Sequence, residues 1–171
     1  MLKVFINTLI VVSSILFGNE IVGFQDYESV NSVFNQYLEA VDNKNIKKMS
    51  EFFYYGGSDR TTFFFGDNPP VIINTEKDLI DIFTSWKKSE RANFERTRID
   101  NISIAPASDY KDARLCIVDV TYSRLNKDDI SVNQARAAYH FYRNKTKTLF
   151  GFWEKWSKWK IYMVVDLDLN R

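Results

Sequence analysis

The stretch NQYLEAVDNKNIKKMSEFF, residues 35–53, holds two helical patterns separated by a polar turn. Upstream, Tyr27, Val30 and Phe34 join Tyr37, Leu38 and Val41 in a recurrence of three and four residues, which lays them along one face of an amphipathic helix. The cluster Asp42, Asn43, Lys44, Asn45 breaks that helix. A second, short one follows from Ile46 to about Tyr54, with Ile46, Met49, Phe52 and Phe53 on its buried face, and Gly56 and Gly57 end it. Neither helix can bury its apolar face alone, so the rest of the chain must supply a second layer.

Downstream the pattern gives a third helix and then changes period. TTFFFGDNPPVIIN, residues 61–74, reads as two short strands around a turn of Gly, Asp, Asn and paired Pro. Thr75-Glu76-Lys77-Asp78 resembles a capping box with Asp in the usual Glu or Gln place, and opens a helix to about Lys88 that buries Leu79, Ile82, Phe83 and Trp86. From Phe94 onward the apolar residues alternate, placing strands over about Phe94 to Ala105, Arg114 to Arg124, Val132 to Arg143 and Trp159 to Leu169. The joints DYKD and NKDD are short and polar, so a meander is the economical topology. The expected fold class is α+β, with three N-terminal helices packed on a curved antiparallel sheet.

Composition fits one domain, because 171 residues with 45% hydrophobic and 16% aromatic content can bury a single substantial core. The net charge of +1, with Lys and Arg scattered, lacks the basic field that draws a protein to nucleic acid. At the N-terminus, Lys3 precedes an apolar run from Val4 to Phe17, followed by Gly18 and Gly23 as small-residue cleavage points. This is the layout of a signal peptide over residues 1–23, with the domain over 24–171 and export to the periplasm or the exterior. The run is shorter than the roughly 20 apolar residues of a membrane span, so no stable span is expected after cleavage. Cys116 is the only cysteine and lies in the strand-like run LCIVDV, where a thiol behaves as a small buried hydrophobe. No metal cluster, nucleotide loop or nucleophile motif stands out, and no cofactor is implied.

Strand alternation sorts the site candidates, since residues two apart share a face. Cys116, Val118, Val120 and Tyr122 point inward, which sends Asp119 outward. Ala135, Ala137, Tyr139 and Phe141 point inward, which sends His140, the single histidine, outward. In the last strand Trp159, Ile161, Met163, Val165 and Leu167 form the inward phase, leaving Lys160, Tyr162, Asp166 and Asp168 on the other. Leu115 and Ile117 on the outer phase suit a homodimer through the sheet. The crowded rings of LFGFWEKWSKWK, residues 149–160, read as an extended hairpin that closes one end of the core.

The opening pair of helices in residues 35–53, together with the endings YHFYRN (139–144) and WKIYMVV (159–165), resembles the nuclear transport factor 2-like superfamily, which includes ketosteroid isomerases, scytalone dehydratase and SnoaL-like proteins. The resemblance implies a cone-shaped α+β barrel around a pocket. It places Tyr37 and Tyr139 where the isomerase branch keeps its two oxyanion donors, and an ungapped count puts Thr61 where that branch keeps its base, with Asp59 two positions off. Threonine cannot serve as that base. Asp100, in phase with Ile102, Ile104, Arg96 and Arg98, is the best remaining inward carboxylate. The expected function is binding of a small, mostly apolar or carbonyl-bearing molecule without catalysis, with Tyr37, Trp86, Tyr122, Tyr139 and Trp159 as ligand-binding residues and no catalytic residue assigned. The alternatives are an isomerase or lyase acting on a carbonyl compound, and a dimeric interaction module with a filled core.

The N-terminal pattern predicts a processed chain. Sequencing of protein purified from its native host should find the first residue after Gly18 or Gly23, and an intact Met1 on cytoplasmic protein would contradict export.

Overall fold

A computed structural model describes residues 26–55, 60–65, 68–105, 107–110, 112–147 and 154–168. The expected signal segment, Gly56, Gly57, Asp59, Phe150, Phe152 and Trp153 lie outside the described residues. Helix α1 covers residues 26–42, α2 Ile46–Ser50 and α3 Glu76–Lys87. The strands are β1 Thr61–Phe65, β2 Val71–Ile73, β3 Arg96–Ile104, β4 Ser108–Tyr110, β5 Ala113–Leu125, β6 Ser131–Lys147, β7 Glu154–Trp156 and β8 Lys160–Asp168. Of the apolar face read from sequence in α1, Val30, Phe34, Tyr37 and Val41 are all under 8% exposed, whereas Tyr27, in the first turn, is 42% exposed. Helix α3 begins with the expected capping box. The Thr75 hydroxyl accepts from the Asp78 N–H, and the Asp78 carboxylate accepts from the Thr75 N–H.

Helix α2 stops at Ser50, earlier than its apolar pattern suggests. Phe53 instead forms a bridge beside Ile161 of β8, where Tyr54 N donates to Ile161 O at 2.8 Å and Ile161 N donates to Phe52 O at 2.8 Å. The two rings thus enter the core from the turn that follows α2; Phe53 packs 5.3 Å from Phe63 and 5.4 Å from Phe83 between ring centroids.

The eight strands form one sheet in the order β2-β1-β8-β6-β5-β3, with β4 paired to β5 and β7 to β6. The meander β3-β5-β6-β8 is antiparallel throughout, as expected from the sequence. The sheet as a whole is mixed, not antiparallel, because β1 docks parallel to β8, pairing Phe63 with Val164 and Phe65 with Asp166. It does not close on itself, with β2 and β3 at its ends.

Three irregularities interrupt the ladders: one leaves Val132 of β6 extra beyond Arg124, and two, in β3 and β8, reset the phase of the strands that carry Asp100 and Asp166. In β3 the pairing passes from Ile99↔Tyr122 to Asn101↔Thr121, leaving Asp100 as an extra residue. In β8 it passes from Ile161↔Phe141 to Met163↔His140, leaving Tyr162 extra. Each insertion sends the residues beyond it to the opposite face. Ile161 is therefore buried, and beyond Tyr162 the core side is taken by Val164 rather than Met163.

The start of α1 is tied to the sheet by a buried charge cluster. Asp26 is 6% exposed, and its carboxylate accepts from Arg114 of β5 and Arg143 of β6. Arg143 also lies over the Trp156 and Trp159 rings, 4.9 and 4.4 Å from their centroids. Removing the carboxylate leaves the largely buried Arg143 without its acid and Arg114 with Asp109 alone. Asp26→Ala should destabilise the fold by about 3 kcal/mol in denaturant titration, and a loss near zero would show that the helix start is held by packing alone.

Candidate functional site

Between α1, α3 and the inner face of the sheet lies a cavity of about 130 Å³. Its apolar wall comes from Leu38 and Val41 of α1, Ile82 and Trp86 of α3, and Phe63 and Phe65 of β1. Its polar wall comes from the meander and α1: Tyr37, Tyr122 and Arg124, Tyr139 and Asn133, and Asp166. Thr97, on the core side of β3, completes that end.

Three phenols form the centre of the site. Tyr37, Tyr122 and Tyr139 are 7%, 5% and 6% exposed, and the Tyr37 and Tyr139 rings meet edge on with centroids 5.6 Å apart. Tyr139 sits in hydrogen-bonding contact with both Tyr37 and Tyr122, and Tyr122 also with Arg124. Burial pushes all three phenols above the usual tyrosine range. Tyr122 and Tyr37 add to the rise at Tyr139, as does Asp166, while Arg124 opposes it. The hydroxyls are therefore protonated at neutral pH and can donate to a ligand oxygen.

Asp166 is the carboxylate of this site, and strand alternation counted from Trp159 assigns it outward. The bulge at Tyr162 reverses that assignment, so Asp166 shares the cavity-facing phase with Val164. Its Oδ1 is shielded from solvent, and its charge acts on Tyr37, Tyr122 and Tyr139. The sequence concealed this because Ile161, Met163, Val164 and Val165 are apolar in both phases. Arg124, in contrast, simply continues the inward series Cys116, Val118, Val120, Tyr122.

The other candidates fall elsewhere. Asp100 does not enter the cavity: the β3 bulge turns it outward, where it accepts from Ser123 Oγ at 2.5 Å, Arg98 Nε at 2.9 Å and Gln134 Nε2 at 3.3 Å. The Ser123 bond, then Arg98 and Gln134, hold its carboxyl below the usual range. Thr61 is fully buried in β1, with its hydroxyl directed at the carbonyls of Tyr54 and Ile161, and it does not line the cavity. Trp86 lines the cavity; Trp159 is 2% exposed and packs under Arg143, away from it. Asp119 lies on the outer face, paired with Arg136 at 2.6 Å. His140 lies there too, its ring 5.9 Å from that of Tyr162, and burial lowers its pKa. Cys116 Sγ is 3.0 Å from Ala105 O, and burial pushes its thiol up to about 11, as suits a packed rather than a reactive sulfur. Among the described residues no group of His, Cys, Asp and Glu is placed to hold a metal ion.

No protein-family profile and no curated protein sequence matches the chain. Solved structures do. A candidate dehydratase of the NTF2-like family from Streptomyces avermitilis aligns with a TM-score of 0.54 at 12% identity, over 86% of this chain and 98% of that one. ActVI-ORFA from Streptomyces coelicolor aligns with a TM-score of 0.55 at 11% identity, over 85% and 98%. An NTF2-like protein with a cystatin-like fold from Novosphingobium aromaticivorans gives 0.54 at 8% identity, over 90% and 88%. The chain has the NTF2-like fold, here three helices on an unclosed mixed sheet. Fold alone does not assign an activity.

Because His140 and the cavity lie on opposite sides of the sheet, His140→Ala should leave any ligand affinity or turnover unchanged. A loss beyond about tenfold, or roughly 1.4 kcal/mol, without a matching loss of stability would return the histidine to the site.

Proposed function

We propose that the protein binds a small carbonyl compound in this cavity and moves a proton on it, as an isomerase or lyase does. The observation that carries the reading is the Asp166 carboxylate sharing one cavity with three protonated phenols. In this scheme Asp166 takes a proton from the carbon next to the carbonyl, and the C–H pair becomes the enolate double bond. The negative charge collects on the carbonyl oxygen, where the Tyr139 and Tyr37 hydroxyls stabilise it. Return of the proton from Asp166 to another carbon completes an isomerisation; its transfer to the β-hydroxyl, which then leaves as water while the enolate electrons form the C=C bond, completes a dehydration. The description of one structural neighbour as a candidate dehydratase supports this class of chemistry.

Size restricts the ligand. A cavity of about 130 Å³ holds something near a single ring, so a steroid does not fit without rearrangement. Binding without turnover is the second reading, favoured by the absence of histidine from the described lining, which leaves a single carboxylate for every proton step. The reading also includes a sheet curved as a cone around the ligand, export directed by the apolar segment Val4 to Phe17, and a homodimer through the outer face that bears Leu115 and Ile117.

The test is deuterium exchange from heavy water into the α-position of cyclohexenone, followed by NMR. The unmodified protein should catalyse it, Asp166→Asn should slow it by about a hundredfold, and binding should persist in that variant. Binding without exchange would favour the second reading, and no binding by either protein would remove the cavity from the function.

A further inference from the structure

Besides Asp166, two charged residues that the proton-transfer scheme does not use line the cavity: Arg91, exposed at its rim, and Arg124. Arg124 of β5 follows Tyr122 on the inner phase and lines the cavity. Its guanidinium is held among rings, 4.9 Å from the centroid of Phe94, 5.5 Å from Tyr122 and 5.8 Å from Trp86. Nη1 donates to the Arg91 carbonyl at 3.0 Å, and a further contact goes to the Tyr122 hydroxyl. Nε is shielded from water and has no acceptor.

Other arginines of the sheet are matched to acids. Arg96 pairs with Asp129, Arg98 with Asp100, Arg136 with Asp119, and Arg114 and Arg143 with Asp26. Among the described residues no ion pair includes Arg124. Asp166 lies across the sheet from it: Asp166 is level with Ala137 and Val120, while Arg124 is level with Asn133. Two strand spacings across and four residues along separate the two Cα atoms by roughly 15 Å. The phenols occupy the space between these charges. A half-buried guanidinium with an unmet donor, at one end of a cavity whose opposite wall is apolar, is suited to an anionic oxygen.

We infer that Arg124 receives a carboxylate, so that the ligand is a small unsaturated or aromatic carboxylic acid whose charged end lies on Arg124 and whose apolar body rests against Trp86 and Phe65. This rests on the reading of the cavity as a ligand site and narrows it to carbonyl compounds that also carry an acid group. Arg124 acts in selection, with the chemistry left to Asp166 and the phenols.

The experiment compares cinnamate with cinnamamide, which match in shape and differ in charge, by calorimetry on the full folded protein. The unmodified protein should bind cinnamate at least about tenfold more tightly, since hydrogen bonds to charged groups are the stronger ones. Arg124→Gln should abolish that preference while leaving cinnamamide affinity unchanged, and Arg124→Lys should retain part of it. Arg91→Gln, at the cavity rim, should keep the preference. Equal binding of both compounds by the unmodified protein would overturn the inference and leave the cavity reading intact. A preference lost in Arg91→Gln but kept in Arg124→Gln would overturn the assignment to Arg124. If neither compound binds, the cavity reading fails and the inference fails with it. Should Arg124→Gln not fold, the unmodified protein and Arg124→Lys decide: a preference retained in part by the lysine supports the inference, and one unaffected by it counts against.

Discussion

Between Phe141 and His140 of β6, the facing strand carries one residue more than its partner: Ile161 pairs with the first, Met163 with the second, and Tyr162 is left over. The extra residue lets one strand serve two purposes. Before it, Trp159 and Ile161 fill the core beneath Arg143 and beside Phe53; after it, Val164 and Asp166 face the cavity. A regular strand would instead direct Val165 inward and leave the site with phenols and no carboxylate. Tyr162 itself stays on the outer face against His140 and Tyr142.

The electrostatics of the cavity follow from this placement. Burial keeps the phenols protonated, and the nearby Asp166 charge reinforces that at all three. Arg124 works against it, most directly at Tyr122, where its opposing effect ranks next after burial. The result is a row of neutral donors between a carboxylate and a guanidinium. Water-excluded donors of this kind interact more strongly with a developing charge than exposed ones would. The aromatic wall of Trp86, Phe63 and Phe65 supplies apolar contact.

Much of this was legible in the sequence where one periodicity ran unbroken. The i, i+4, i+7 series Val30, Phe34, Tyr37 fixed the buried side of α1, the Thr75 to Asp78 box fixed the start of α3, and the alternation through Cys116, Val118, Val120 and Tyr122 fixed the inner face of β5. Two classes of feature were hidden. Parallel docking of β1 on β8 joins segments about a hundred residues apart and leaves no local turn signal. Bulges add a residue without changing composition: in β3 they converted Asp100 from an inward to an outward carboxylate, and in β8 they did the reverse for Asp166. The short strand β4 was missed because three residues are too few to show alternation, whereas β7, paired antiparallel with the end of β6, belongs to the extended hairpin read over residues 149–160.

The direction of Asp166 is the central claim, and proton–proton contacts in solution report it. In isotope-labelled protein, the Asp166 β-protons should give nuclear Overhauser contacts to the ring protons of Tyr139 and Tyr122, while the Val165 methyls give contacts to groups on the outer sheet face such as Ala138. The opposite pattern, with Val165 against the phenols and Asp166 silent toward them, would mean that β8 runs without its bulge and that the cavity lacks its carboxylate.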